Sequence, residues 1–407
     1  MSSIDDKLPD GWIETTLAEI VISANTGLDA IKRAPIVEQE TGIKCFRIQD
    51  ASQKKKYENW GNTKVEEKNY KRFQLLTGDI LIARTGNTIG VNYLVSENLK
   101  SVFNNGLIRL RVNEKCDYKF LYKIIESKLF DRYVQSIAYG TSTQPNMQIN
   151  VLLGFELNIP PLEEQKAIAK VLTAFDDKIE NLRAQNQTLE QTAQTIFKEW
   201  FGKYQIGDEL PEGWKIGTIG NLTEIKRGGS PRPIKDYISD SGYRWLKISD
   251  ATATDSPFIF EIKEHIKIEG LKKTTLKKAG DLVLSNSATP GMPKFLAVDT
   301  CVHDGWMHFP SSIVSNEYLY LLFLHIRPTL VQQGSGSVFV NLKTDILRFY
   351  ETVIPSNKAL TDFDKLIKPI FDKILSNSKQ IQTLTKTRDA LLPKLMRGEI
   401  RVNGFKK

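Results

Sequence analysis

Between Leu162 and Tyr204 the apolar residues fall on one seam. Counting from Leu172 in alternating steps of three and four reaches Phe175, Ile179, Leu182, Asn186, Leu189, Ala193, Ile196 and Trp200, and only Asn186 is polar. A seam sustained over that length predicts a coiled-coil helix rather than a generic surface helix. Pro161 just before it, with Glu163 and Glu164 in the first turn, suits a helix N-terminus. The pattern returns near the end of the chain as Ile367, Ile370, Ile374, Asn377, Ile381, Leu384, Arg388, Leu391 and Leu395. Pro369 and Pro393 lie inside this second seam. Each is expected to kink or delimit the helix, because proline lacks an amide and clashes with the preceding turn.

The two seam asparagines carry an orientation. Aligned as repeats, Asn186 meets Ile381 and Asn377 meets Leu182. Parallel packing in repeat register would set each amide against an apolar side chain. Antiparallel packing sets Asn186 against Asn377, Leu172 near Leu391 and Trp200 near Phe363. Buried polar groups need partners, and asparagine pairs are known register devices, so an antiparallel pair is expected. The bland alternative is that both asparagines sit at a wet edge. Helices of about 40 residues would be about 60 Å long, enough to hold two bodies apart across a pseudo-twofold axis.

Two similar bodies are what the rest of the chain predicts. Leu8-Pro9-Asp10-Gly11-Trp12 returns as Leu210-Pro211-Glu212-Gly213-Trp214, and Arg47-Ile48-Gln49-Asp50-Ala51 as Lys247-Ile248-Ser249-Asp250-Ala251. Gly78-Asp79-Ile80-Leu81-Ile82 returns as Gly280-Asp281-Leu282-Val283-Leu284, and Gly106 as Gly305. Asn146-Met147, Ile159-Pro160 and Asp177-Lys178-Ile179 return as Asn341-Leu342, Ile354-Pro355 and Asp372-Lys373-Ile374. One such match is noise; matches in unbroken order over the whole chain are a duplication. Each copy reads as strand-rich, with runs such as Asp79 to Ala83 and Leu107 to Val112, followed by a helix near Tyr118 to Leu129 or Asn316 to Ile326. The expected organisation is a head over residues 1–160, a helix over 161–205, a second head over 206–357 and a second helix over 358–407. The fold class is α/β (α+β): two pseudo-twofold-related heads separated by an antiparallel coiled coil.

Composition narrows the function only slightly. A 41% hydrophobic and 26% charged chain is an ordinary folded protein, and a net charge of +8 permits a polyanionic partner without requiring one. Cys45, Cys116 and Cys301 show no paired spacing, so neither a disulfide framework nor a structural zinc is expected. The polar start is no signal peptide and no apolar run reaches the ~18 residues of a membrane span, which points to the cytoplasm and away from a membrane.

Basic residues gather in both heads. The first carries Lys44, Arg47, Lys54, Lys55, Lys56, Lys64, Lys68, Lys71 and Arg72, interleaved with Phe46, Tyr57, Trp60 and Tyr70. The second carries Lys226, Arg227, Arg232, Lys235, Arg244 and Lys247, then Lys272, Lys273, Lys277 and Lys278. Such residues can neutralise phosphates, although Lys54-Lys55-Lys56 alone reads better as a solvated loop. Positions shared by the copies are expected to hold the scaffold; polar positions that differ are where two heads could read different bases. Arg84 aligns with Asn286, Gln49 with Ser249, Asn104 with His303, and Asn105 with Asp304. Arginine can grip guanine, and asparagine or glutamine adenine, through paired hydrogen bonds. Thr85, Asn87, Ser287 and Thr289 lie in loops after strands, and Gln144 in another polar stretch. For each of these residues a structural hydrogen bond is an equal reading.

Catalytic constellations are missing from the sequence. It has neither GxxxxGK[ST] nor GxGxxG. Asn158-Ile159-Pro160-Pro161 lacks the aromatic that stacks a flipped adenine. Asp255, Glu261 and Lys263 mimic a nuclease metal-site spacing that the first head does not repeat, and is read as structural. His265, His303, His308 and His325 have no ligand spacing, so no metal is expected.

The order head, helix, head, helix resembles the specificity (S, HsdS-like) subunit of type I restriction-modification enzymes. The resemblance is carried by Leu8-Pro-Asp-Gly-Trp12, Gly78-Asp-Ile-Leu-Ile82, Ile159-Pro-Pro-Leu-Glu-Glu-Gln165 and Leu391-Leu-Pro-Lys-Leu-Met-Arg-Gly-Glu-Ile400. It departs at Ile354-Pro-Ser-Asn-Lys358, which lacks the Leu-Glu-Glu-Gln. The resemblance implies that each head is a target recognition domain for one half of a split double-stranded DNA site. Half-sites read from one face should be centred about 10 bp apart. The helices would space the heads and dock two modification subunits, which bind S-adenosylmethionine and methylate adenine N6. Restriction subunits would add ATP- and Mg-dependent translocation and cleavage. This chain would catalyse none of these steps and bind no cofactor itself. Two alternatives stay open: the specificity subunit of a type IIB/IIG-like enzyme, and a coiled-coil scaffold whose duplicated heads bind something other than DNA.

Overall fold

The computed structural model describes residues 8–139, 146–333, 341–402 and 404. The chain divides into two compact units. One holds the first head, the start of the first long helix and the end of the second, and the other holds residues 179–383. Each is described by itself.

The first head is three small sheets with helices. Ile13–Thr16 pairs antiparallel with Glu156–Ile159, closing the head just before the helix begins. A second sheet orders Val21–Thr26, Leu107–Val112, Ile80–Ala83 and Asn92–Leu94. In the third, Lys44–Phe46 runs parallel to Ser101–Phe103. Ile80, Ile82, Ile108 and Leu110 face a core with Phe120, Leu121 and Phe130, while Leu81, Ala83 and Leu107 face another with Phe46, Trp60 and Phe103. Consecutive strand residues point to opposite faces, so a continuous apolar run is what a strand buried on both faces requires. Trp60 and Phe46, with ring centroids 4.4 Å apart, belong to that second core and not to a basic surface. The expected helix at Tyr118 to Leu129 is two, Tyr118–Ile125 and Lys128–Tyr139, the first capped by the Asp117 carboxylate accepting from the Phe120 amide.

The second head repeats this plan. Lys215–Thr218 pairs with Glu351–Ile354. Leu282–Ser285 lies between Trp306–His308 and Pro293–Leu296, and Tyr243–Leu246 runs parallel to Thr300–Val302. The helix Asn316–Gln333 is longer than expected and carries Pro328.

The first long helix spans Leu162–Phe197 and ends in a π turn over Lys198–Gly202 rather than continuing as α-helix to Tyr204. The wider turn seats Phe197 and Phe201 against Tyr318 and Phe363, and a side chain on Gly202 would meet the His325 ring. The second long helix, Asn357–Met396, runs unbroken through both prolines. Pro369 and Pro393 were expected to kink or delimit it; they do not delimit it. Both rings are exposed, and the seam residues around them stay packed, so side-chain burial outweighs the hydrogen bond each proline removes.

Within each unit the two helices run antiparallel. In the first, Arg388 meets Asp176 at 2.7 Å, and Leu172 shares a core with Leu391 and Leu395. Beyond the helix end, Arg401 grips the buried Glu164 carboxylate with two hydrogen bonds, 2.9 and 2.6 Å. Gln165 binds the Asp117 amide and the Lys115 and Pro160 carbonyls. The Glu-Glu-Gln run therefore ties the helix start to its head. In the second unit, Trp200 packs 5.9 Å from Phe363, and the Asn377 amide donates to Asn186 Oδ1 at 2.9 Å. Asn186 in turn donates to Ser378 Oγ at 3.1 Å. Every seam position of both helices is buried or half-buried.

Candidate nucleic-acid interface

A turn just before one central strand is the hub of each head. In the first head it is Asn104 to Gly106. The Asn104 amide donates to Phe46 O, the Asn105 amide to Leu28 O, and Gly106 O accepts from the Arg84 amide at 2.9 Å. Gly27 lets the chain pass so close that a Cβ there would lie 2.1 Å from Phe103 O. In the second head the hub is His303 to Gly305. Gly305 O accepts from the Asn286 amide at 2.9 Å, and a Cβ on Gly228 would lie 2.4 Å from Val302 O. Position 84 is held on its other side by the Met147 amide, and position 286 by the Leu342 amide. The backbone bonds at positions 84 and 286 correspond, whereas the turns differ in part: the Asp304 amide, equivalent to that of Asn105, donates to Ser230 Oγ rather than to a backbone carbonyl.

The side chains they present do not correspond. Arg84 is half-buried; its Nη2 donates to Asn146 Oδ1 at 2.9 Å, and its buried Nε has no partner among the described residues. Asn104 Oδ1 is likewise buried and unpaired there. Asn286 instead is 3% exposed and folds back, its Nδ2 donating to Asp304 O at 3.0 Å. Asp304 gathers the second hub. Its carboxylate accepts from Ser230 Oγ at 2.5 Å and Arg232 Nη2 at 3.3 Å, and its carbonyl from Arg227 at 2.6 Å. The Ser230 hydrogen bond, with the Arg232 guanidinium nearby, holds the Asp304 carboxyl below its usual range. His303 accepts the Gly305 amide on Nδ1 at 2.8 Å and lies 5.7 Å from the Trp245 ring. Burial pushes its pKa down, so the neutral ring carries its proton on Nε2.

The other residues singled out in the sequence divide in two. Thr85, bridged to Asn146, and the exposed Asn87 and Asn105 lie at the first hub or its loop; Ser287 and Thr289, whose Oγ1 is buried without a partner, lie at the second. Gln49 lies on the short helix that packs Ile48 over Gly106, with its amide oxygen 2.8 Å from Arg47. Arg47 is committed to Asp50 at 3.0 Å and Lys55 lies 3.4 Å from the same buried carboxylate. Lys247 repeats the arrangement: its amide donates to Asp250, and its ammonium pairs with Glu264. Ser249 is exposed beside it. Lys44, Lys54, Lys226 and Arg244 stand away from the hubs: Lys44 donates to Glu58 O, Lys226 pairs with Glu224 at 2.8 Å, Arg244 pairs by backbone with His265, and Lys54 is exposed. Gln144 lies outside the described residues. Asn146 and Ser230 are hub residues that sequence reasoning did not select, Asn146 being visible only as a repeat match. Asp304 entered it only as the differing counterpart of Asn105.

Among the described residues no group of three His, Cys, Asp or Glu is placed to hold a metal, and no helix is long and apolar enough to cross a membrane. The architecture is that of a tandem-duplicated α/β protein with a helix after each head and one polar hub per head. The family model for the type I restriction modification DNA specificity domain matches twice, over residues 9–191 and 211–387. The chain is 30% identical to the type I restriction enzyme MjaIX specificity subunit of Methanocaldococcus jannaschii, covering 70% of this chain and 69% of that one. It is 26% identical to the HindI specificity subunit of Haemophilus influenzae, over 76% and 82% of the two chains. The crystal structure of a type I restriction-modification S subunit from M. genitalium shares the fold at 16% identity, with TM-score 0.62 over 97% of this chain and 98% of that one. The chain belongs to the type I restriction-modification specificity subunit family.

Proposed function

We propose that this chain is the non-catalytic DNA-reading subunit of a type I restriction-modification complex, recognising an asymmetric site in two parts. One observation carries the asymmetry: the hubs share a backbone frame, yet Arg84 and Asn104 stand where the second head has Asn286 and His303. Similar frames set two similar bodies on DNA in the same way; side chains that differ there, with Asn286 buried and turned inward, offer the two half-sites different groups to read. The helices dock two modification subunits, and restriction subunits join that assembly in the cytoplasm. S-adenosylmethionine, ATP and Mg are bound by those partners, where adenine methylation and cleavage occur. The test is co-purification with an adenine methyltransferase and mapping of methylated adenines in host DNA. A bipartite methylated motif is expected. Replacing the segment before Pro160 with that of another family member should change one half of the motif, and a change in both halves or neither refutes the head-to-half assignment.

A further inference from the structure

We infer that Arg84 is the guanine-reading residue of the first head, an assignment that rests on the DNA-reading function proposed above. The guanidinium is a planar fork of donors and reads guanine by giving two parallel hydrogen bonds to O6 and N7. Such reading needs a fork that is held and not already consumed. Arg84 meets both conditions. Its backbone is fixed on both sides, by Gly106 O and by the Met147 amide, each at 2.9 Å. Its Nη2 is steadied by Asn146 Oδ1 at 2.9 Å, which takes one proton and leaves the other. No carboxylate pairs with it among the described residues, so its charge is not neutralised locally. Three other arginines of the first head are not in that state: Arg47 is bound to Asp50, Arg111 to Asp79, and Arg109 is buried against Gln74 O.

A fork of this kind can also grip a phosphate. The comparison of the two heads favours a base. Backbone positioning is a need both heads share, so a phosphate grip should recur at the equivalent frame. It does not recur: Asn286 carries no charge and occupies that frame buried, its Nδ2 donating to Asp304 O and its Oδ1 unpaired among the described residues. Position 84 is therefore a place where the heads differ in what they offer a groove, which is the property of a specificity residue.

The test uses the full chain assembled with its modification subunits. In a host lacking other methylation, the wild-type motif should contain a guanine in the half that follows the segment before Pro160. Arg84→Ala should make that one position degenerate, with discrimination falling about 10- to 100-fold, and leave the other half unchanged. Asn146→Ala, which keeps the guanidinium but removes its support, should lower discrimination at the same position by less. Lys54→Ala, an exposed charge away from the hub, should change no motif position. A second measurement does not depend on variant folding: placing 7-deazaguanine, which lacks N7, at each guanine of that half should weaken wild-type binding at one position. A wild-type first half without guanine, no penalty from 7-deazaguanine, or an unchanged motif with Arg84→Ala each overturns the assignment. Uniform weakening across all bases makes Arg84 a phosphate contact and overturns it too. Absence of any sequence-specific methylation by the wild-type complex would instead refute the proposed function.

Discussion

Substituting the asparagine rung of the second unit tests the helix pairing with a sign that simple contact counting does not give. Asn377 is fully buried, donates to Asn186 Oδ1 at 2.9 Å and more weakly to Gln185 at 3.4 Å, and its own Oδ1 has no partner among the described residues. Asn186 is half-buried and has a second set of bonds, to Ser378 Oγ at 3.1 Å and Ile374 O at 3.4 Å. Asn377→Leu orphans Asn186 Oδ1 but also removes an already unpaired buried oxygen, so its cost lies at the low end of the ~1–3 kcal/mol for an unsatisfied group. Asn186→Leu leaves a fully buried amide with only its 3.4 Å bond to Gln185 and its Oδ1 still unpaired, and its cost lies at the high end of the same ~1–3 kcal/mol. Replacing both by leucine removes both penalties and adds apolar seam, as Leu182 and Ile381 do at the repeat-equivalent positions; the pair should be near neutral. For a unit of this size ~1 kcal/mol moves the thermal midpoint by about 2–4 °C. Calorimetry of the full chain should show the second unit's transition falling by about 2–4 °C for Asn377→Leu and about 5–10 °C for Asn186→Leu, and recovering in the double variant. Single effects that add in the double variant would refute the reasoning, since they would mean the two amides do not satisfy each other.

Three further outcomes follow from the same structure. Ala288 holds φ +59° where its counterpart Gly86 holds φ +69°, so Ala288→Gly should stabilise the second unit by about 1 kcal/mol, read as a higher thermal midpoint. Burial lowers the pKa of His303, His308 and His325, all in the second unit, whereas the first unit has no histidine. A depressed histidine contributes stability above its unfolded pKa and loses it as pH falls, so only the second unit's transition should drop between about pH 6.5 and 5, and His308→Gln should flatten that drop. Arg401→Ala leaves the buried Glu164 carboxylate without its guanidinium and should lower the first unit's transition while leaving the second in place.

The helices were the most legible part of the sequence because their signal is periodic and local. The offset asparagines even carried the direction of packing, since only one orientation gives both amides a partner. The prolines misled because the sequence shows the lost hydrogen bond but not the burial that outweighs it. The hubs were legible in part. Arg84 and Asn104 stood out as polar positions that differ between copies. Asn146 did not, because its relation to Arg84 exists only once a distant segment folds back. Arg47 and Lys247 looked like phosphate contacts by composition alone. The better signal was the aspartate three residues on, Asp50 and Asp250, which receives their backbone amides and closes a short helix start.

Duplication explains how such a protein can change what it reads without refolding. At each hub the backbone bonds run between an amide and a carbonyl and are indifferent to the side chain at position 84 or 286. The same frame tolerates a half-buried arginine steadied from across the loop and a buried asparagine turned inward. The two amide–carbonyl bonds made at that position are present whichever side chain it carries. The glycines that let the neighbouring segment pass, Gly27 and Gly228, are under the opposite constraint: any side chain would collide with carbonyl oxygens of the turn. Each head is therefore rigid where the chain crosses itself and free where it presents a side chain. Two copies under those constraints can drift to different half-sites while their helices keep the same pairing.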